Sequence, residues 1–344
     1  MAFDLHVDGP RWRRHLDAVA AATPGLVPVV KGNGYGLGRD LLAAEAGRIG
    51  AERIAVGTYA EVPGALEAFE GDVLVLSPYR PFLQDVVLDE RVIHTLGRVD
   101  DVVALSSAAP GARVVLEGET SMARHGFDRH ELAAAVAALG DLVLDGFAIH
   151  LPMAGANLPE AEGWAAALEA SQVDTSVLYV SHLVPSELSM LRERRPQLEV
   201  RPRIGTSLWL GDLGALDVRA TVLDVHGVSR GERVGYRQRP VPREGHLLVV
   251  AGGTSHGLGL EAPRAQAGVV QRGKTLAKGG LEAAGLALSP FKVAGRQRWF
   301  AEPPHMQASL VLLPASVPPP AVGETLSAAV RFTTTAFDHV VVDD

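Results

Sequence analysis

The chain has 344 residues, enough for one large domain or for two unequal ones. Hydrophobic residues make up 47% and charged residues 21%, no apolar run is long enough to span a membrane, and zero cysteines exclude disulfides and thiolate metal sites. A net charge of −8 argues against a broad nucleic-acid surface, and the mixed charges of MAFDLHVDGPRWRRHL lack the order of a signal peptide, so a cytoplasmic protein is expected.

In chain order, apolar and β-branched runs recur at Leu26–Lys31, Arg53–Thr58, Asp72–Ser77, Val92–Thr95, Arg113–Glu117, Leu142–His150, Ser176–His182 and Val200–Thr206. Each reads as a buried strand. Between them, stretches such as Arg39–Ile49, Ala60–Phe69, Arg129–Leu139, Glu160–Ala170 and Ser186–Arg194 carry helical spacing, and the arginine-rich stretches 11–14 and 192–195 fit solvated helix faces. Strand and helix in alternation, eight times, predict a closed (β/α)₈ barrel. Past Leu213 the helical period fades. Short β-like runs follow at Arg219–Val225, Glu232–Arg237, His246–Val250, Gly268–Gln271, Gln307–Leu313, Leu326–Thr333 and Val340–Val342, parted by Gly and Pro turns. The expected fold is therefore α/β: a barrel over residues 10–212, then a mostly β domain over 213–344 that also takes the N-terminal strand 1–9.

Lys31 sits where the first buried strand runs into the glycine-rich turn of VPVVKGNGYGLG (27–38), the end at which barrels keep reactive groups. Desolvation there lowers a lysine's pKa and frees a nucleophilic amine. A lysine at a strand end can also simply extend its stem to solvent, so Lys31 alone does not decide.

Its neighbours do more. VVKGNGYG resembles the cofactor-lysine motif of the alanine racemase family, with Lys31 followed by Asn33, Tyr35 and Gly36. The resemblance implies pyridoxal 5′-phosphate held as a Schiff base on Lys31, with Tyr35 on the phosphate. GETSMARHGF (118–127) is similar to the segment whose arginine lies near the cofactor and the substrate carboxylate, which makes Arg124 a substrate-binding candidate. Many relatives carry a carbamylated lysine seven residues earlier, and Glu117 stands there instead. FAIHLPMAG (147–155) places His150 where the family has a histidine beside the cofactor, although a histidine at a strand end is as readily structural.

VSHLVPSEL (180–188) resembles the family's His-x-x-Asn-Ser segment, with His182 and Ser186 retained and Pro185 in place of Asn. Ser186 suits either a helix cap or a phosphate ligand. RPRIGTSLWLG (201–211) resembles the Arg-x-Gly-Ile segment, so Arg203 corresponds to the arginine at the pyridine nitrogen, and Gly205 and Thr206 to phosphate ligands. An arginine there keeps the ring nitrogen unprotonated and the cofactor a weak electron sink, which suits racemisation better than decarboxylation.

Moving a proton from one face of an α-carbon to the other calls for a second acid/base. VSRGERVGYRQRP (228–240) resembles the segment that supplies it, so Tyr236 is that candidate, with Arg237 in place of glycine. An unperturbed tyrosine titrates at about 10, hence assistance is needed, and His150 is the expected helper. In the family this tyrosine comes from the partner subunit, which implies a homodimer with shared sites.

The substrate side departs from the pattern. GGTSHGLG (252–259) lacks the family's tyrosine, so that Thr254, Ser255 and His256 are expected at the entrance; PPHMQ (303–307) keeps Met306 but has Gln307 for the usual aspartate; and the chain ends at Asp344, about where a final tyrosine segment would follow. The implied function is a pyridoxal-phosphate-dependent amino-acid racemase, and the departures at its entrance suggest a larger or polar amino acid, or a peptidyl or modified one, as substrate. A decarboxylase or aldolase on the same scaffold, or a cofactor-binding homologue without activity, are the alternatives. Arg203 and the lack of cysteine weigh against the first, and Asp338-His339-Val340-Val341 lacks the metal-ligand spacing of related aldolases.

Overall fold

A computed structural model describes residues 2–171, 173–259 and 287–344; the strand expected at Gly268–Gln271 lies outside them. Two compact units result. One comprises Arg13–Gly34 and Gly38–Gly211, and the other comprises Met1–Trp12, Tyr35–Leu37 and Asp212–Asp344.

In chain order the elements begin with β1 (Phe3–Asp8) and α1 (Gly9–Ala22). The strands of the first unit are β2 (Val27–Pro28), β3 (Arg53–Val56), β4 (Asp72–Val75), β5 (Val92–Leu96), β6 (Arg113–Gly118), β7 (Val143–Ile149), β8 (Val177–Val180) and β9 (Glu199–Ile204). All pair in parallel, in the order β2-β9-β8-β7-β6-β5-β4-β3, and a Val29–Ala55 bridge closes the ring. Helices α2 (Arg39–Arg48), α3 (Val62–Ala68), α4 (Val99–Ala108), α5 (Leu132–Ala137), α6 (Leu158–Ala170), α7 (Pro185–Arg194) and α8 (Thr206–Trp209) connect the strands or follow the last one. This is the (β/α)₈ barrel that the alternation predicts.

Alternation along each strand sorts the interior into layers, because successive side chains point to opposite faces. Strand β6 illustrates it, with Arg113 in an ion-pair layer, Val115 in an apolar one and the buried Glu117 two residues further on. Val115 joins Val27, Val29, Ala55, Leu74, Ile93, Ala148 and Tyr179 in a buried apolar belt. Below the belt lies a charged floor. Asp145 receives Arg53 and Arg113, each at 2.7 Å, together with the Tyr179 hydroxyl at 2.9 Å; Arg113 also pairs with Asp72 at 2.6 Å. Above the belt, at the C-terminal strand ends, lie Lys31, Glu117, His150 and Arg203.

In the second unit β10 (Leu216–Val228), β13 (Gly245–Ala251), β14 (Leu288–Val293), β15 (Arg296–Phe300), β16 (Ala308–Pro314) and β17 (Thr325–Ala328) pair antiparallel in the order β13-β16-β15-β14-β17-β10. A further β10–β13 pairing closes this sheet on itself. Strand β1 adds to β10, and β18 (Val340–Asp343) adds to β1 in parallel. A small hairpin of β11 (Arg233–Val234) and β12 (Arg239–Pro240) carries Tyr236 at its turn. Its core holds Val228, Val241, Leu247, Ala301 and Leu310.

Candidate active site

The barrel end is built around Lys31. Past Pro28, Val29 hydrogen-bonds to Ile204 and Val30 to Ala55, which fixes the strand up to the lysine. Beyond it the chain turns at once. Arg39 donates to the Gly32 carbonyl at 2.8 Å, and Glu61 accepts from the Gly32 amide at 2.8 Å and from the Gly57 amide at 2.6 Å. Glu61 thus ties the lysine turn to the end of β3. A Cβ at Gly57 would lie 3.2 Å from the Lys31 Cβ. Nothing in the sequence singled out Glu61; its place one helical turn past a strand-end glycine was the available signal.

Loss of solvent around the amine lowers the Lys31 pKa, the cations Arg124 and Arg203 lower it further, and Glu61 acts the other way. A pKa below the ordinary lysine value is the condition for nucleophilic amine chemistry. Replacing Glu61 with alanine leaves the Gly32 and Gly57 amides without their acceptor and is expected to cost about 1–3 kcal/mol. A urea midpoint compared with wild type reads this loss, and an unchanged midpoint would remove Glu61 from the account.

Arg203 is only 6% exposed. One Nη donates to the Ile149 carbonyl at 2.7 Å, while Nε has no partner among the described residues. Burial lowers its pKa, Glu117 opposes that effect, and Arg124 adds to it. Glu117 is 3% exposed, with Oε2 unpartnered among the described residues. Burial pushes its carboxyl up, against the pull of Arg203, Arg124 and Arg80. Two orphaned polar atoms of opposite character at one barrel end are unusual, because such groups are costly unless a partner satisfies them.

Arg124 is exposed on a loop whose base is clasped by a Gly118–Phe127 bridge. That clasp needs Gly126. Its φ is +124°, and a Cβ would fall 2.3 Å from the Glu119 amide nitrogen. His150 contacts the Ser181 hydroxyl through Nδ1 at 3.1 Å and meets the His182 ring edge-on at 5.3 Å. Burial first, then Arg203, Arg124, His182 and Lys31, depress its pKa to about 3, so the ring is neutral. Asn157 donates to the Pro152 and His182 carbonyls, both at 2.8 Å, and so clamps the loops after β7 and β8. No local residue pattern points to that role.

Pro185 opens α7, the position where proline is favoured. Ser186 follows it on the exposed first turn and does not cap the helix. Val184 holds the cap position, and its amide donates to Glu187 at 3.0 Å. The capping option for Ser186 is therefore corrected: Pro185, with no amide proton, shifts the cap one residue earlier than Pro. Gly205 and Thr206 form the start of α8, whose Trp209 indole donates to the Val29 carbonyl at 2.8 Å. This buried bond couples the turn after β9 to the strand that carries Lys31.

The second unit holds Tyr35, Tyr236 and Met306. Tyr35 is buried, with φ +55°. Tyr236 is 85% exposed and lines a cavity of about 620 Å³ with Arg237, Thr254, His305, Met306 and Gln307. The imidazole beside Tyr236 in this unit is His305, with ring centroids 4.6 Å apart. Ser255 donates to the Met306 carbonyl, and Thr254 faces the cavity. His256 does not: it is buried, accepts from the Gly253 amide and bonds Asp338 at 3.1 Å. The expectation that it lines the entrance is corrected, since Asp338 and the edge of Phe3 hold it inward.

The profile of the family described as "Alanine racemase, N-terminal domain" matches residues 7–209, more than half of the chain. The chain belongs to the alanine racemase family. Solved members of similar fold include the alanine racemase of the D-cycloserine-producing Streptomyces lavendulae (20% identity, 100% of this chain and 97% of that one, TM-score 0.71). The alanine racemase of Bartonella henselae with covalently bound pyridoxal phosphate has 14% identity, full coverage of both chains and a TM-score of 0.75. A histidine racemase from Leuconostoc mesenteroides subsp. sake has 16% identity, 100% and 98% coverage and a TM-score of 0.69. A search of curated proteins finds no match. Among the described residues no group of three metal-ligating side chains occurs, and no helix is long and apolar enough to cross a membrane.

Proposed function

We propose that this family member is a pyridoxal 5′-phosphate-dependent amino-acid racemase, acting as a homodimer through Lys31 and Tyr236 as opposed acid/base groups. The observation that carries the reading is Lys31 at the C-terminal end of its barrel strand, on a turn held by Arg39 and Glu61, at the same barrel end as the buried Arg203. The donor set fits the cofactor. Lys31 would supply the amine for its aldehyde, the buried guanidinium of Arg203 a donor for its ring nitrogen, and Gly205, Thr206 and Ser186 would be the barrel's candidates for its phosphate. When bound, the cofactor delocalises negative charge from the substrate α-carbon.

The protein's part is to bind, orient and move a proton. Arg124, on its clasped loop, is suited to a carboxylate by its planar guanidinium. Lys31 exchanges a proton on one face through Nζ, and Tyr236 of the partner subunit does so on the other through its phenol oxygen. His150, neutral because its pKa lies at about 3, offers a hydrogen bond to the cofactor ring without adding charge. The cavity beside Tyr236, lined by Thr254, His305 and Gln307, supports a substrate larger or more polar than alanine.

Borohydride treatment of the cofactor-loaded protein, followed by peptide mapping, tests the attachment. The label is expected on the peptide that contains Lys31; a label elsewhere would refute the assignment. A chiral assay across the common amino acids tests the substrate class, and efficient turnover of alanine alone would contradict it.

A further inference from the structure

Glu302 is the most unusual carboxylate of the second unit. It is 3% exposed although it lies in the surface stretch AEPPH (301–305) between β15 and β16. Both oxygens are engaged. Oε1 accepts from the Tyr236 amide at 3.0 Å and from His305 Nε2 at 2.7 Å, and Oε2 accepts from the Arg237 amide at 3.1 Å. Burial raises its carboxyl, but the bonds from His305, Arg237 and Tyr236 together hold it below the usual range. The turn that presents Tyr236 is shaped around this carboxylate. A Cβ at Gly235, where φ is +73°, would lie 2.3 Å from Glu302 atoms.

His305, held by that same carboxylate, lays its ring against the Tyr236 ring at 4.6 Å and 47°. From this geometry we infer that Glu302 and His305 are positioning residues for Tyr236: Glu302 fixes the backbone turn, and His305 orients the phenol and takes up its proton. The inference rests on the racemase reading, in which Tyr236 exchanges a proton. A phenol that gives up a proton needs a nearby acceptor, and an imidazole whose Nε2–H is held by a carboxylate keeps Nδ1 for that purpose. Glu302 does not itself serve as a substrate ligand, because both its oxygens are already bonded.

Tyr236 can be read without catalysis. The other four tyrosines, Tyr35, Tyr59, Tyr79 and Tyr179, are buried, so a phenol-directed reagent such as tetranitromethane reports on Tyr236 alone. Nitration of full-length wild type, Glu302→Gln and His305→Gln is followed by mass spectrometry, with circular dichroism as the control for folding. In both variants Tyr236 is expected to react about three-fold more slowly. A wild-type rate in His305→Gln, which keeps a hydrogen-bond donor for Glu302 and removes the imidazole, would overturn the inference even if Glu302→Gln failed to fold.

A second arm follows α-deuterium exchange from each enantiomer separately. His305→Gln is expected to slow exchange about ten-fold for one enantiomer, the one served by Tyr236, and to leave the other nearly unchanged. Equal slowing of both, or of neither, would contradict a role confined to Tyr236. If wild type exchanges no amino acid at all, the racemase reading fails, while nitration still decides the role of Glu302 and His305.

Discussion

Replacing Lys31 with alanine is expected to abolish the visible absorbance of the lysine-bound cofactor and to lower racemisation by about three orders of magnitude or more, with stability little changed. The reason lies in the layering of the barrel. Lys31 stands above the apolar belt, at the end where Arg124 and Arg203 depress its pKa. Its Cα follows a short strand fixed by the Val29 and Val30 amides, and its turn is held by Glu61 and Arg39, so truncation removes the amine without removing a packing residue. Absorbance and chiral turnover measured on one preparation check both parts. Wild-type absorbance with lost activity would place the cofactor on another group.

At the opposite end of the barrel, Asp145→Ala is expected to destabilise the protein by about 3–5 kcal/mol. Asp145 joins Arg53 and Arg113 at 2.7 Å each, and all three side chains are at most a quarter exposed. Arginine cannot discharge by losing its proton, so removal of the carboxylate leaves buried cations short of a partner. The pH dependence follows from the same bonds. Burial pushes the Asp145 carboxyl up, but Arg113, Arg53 and Tyr179 outweigh it and the pKa ends below the ordinary value. Its contribution is therefore fully present above the unfolded pKa of about 3.9 and is lost as pH falls through the folded value. Urea unfolding at neutral pH and at successively lower pH checks both: wild type should lose stability on acidification, and Asp145→Ala should lose less.

The barrel was legible in the sequence because each strand carries a buried apolar run and each connection ends on a glycine or polar turn. Arg113, Val115 and Glu117 carry the whole layering in one strand. The two strands Leu288–Val293 and Arg296–Phe300 were missed: LSPFKV is interrupted by Pro290 and RQRWF is charged, so both hide an edge-like pattern that pairing satisfies. Helix Val99–Ala108 lies where the alternation of strand and helix expects one, although its VVALSS stretch has no clear helical period. The charged floor was invisible for a different reason. Arg53, Asp72, Arg113 and Asp145 are far apart in sequence and meet only once the barrel closes.

Much the same division holds at the candidate site. Lys31, Arg124, His150 and Arg203 come from motifs with fixed local spacing, and the fold brings them to one barrel end. Glu61 and Asn157 act through backbone amides and carbonyls, which no residue pattern announces. Glu302 and His305 lie three apart just after a strand, yet their partner Tyr236 is 66 residues from Glu302 in sequence. Motifs alone point to His150 as the helper of the tyrosine; within the unit that holds Tyr236, the adjoining ring belongs to His305.

The central claim is that Lys31 and Tyr236 move the α-proton of an amino acid. Incorporation of solvent deuterium at the α-carbon, followed by mass spectrometry and chiral separation for both enantiomers, tests it most directly. Wild type is expected to incorporate deuterium and to invert configuration, with Lys31→Ala doing neither. Exchange and inversion that persist in Lys31→Ala, or deuterium incorporation without inversion in wild type, would contradict the account.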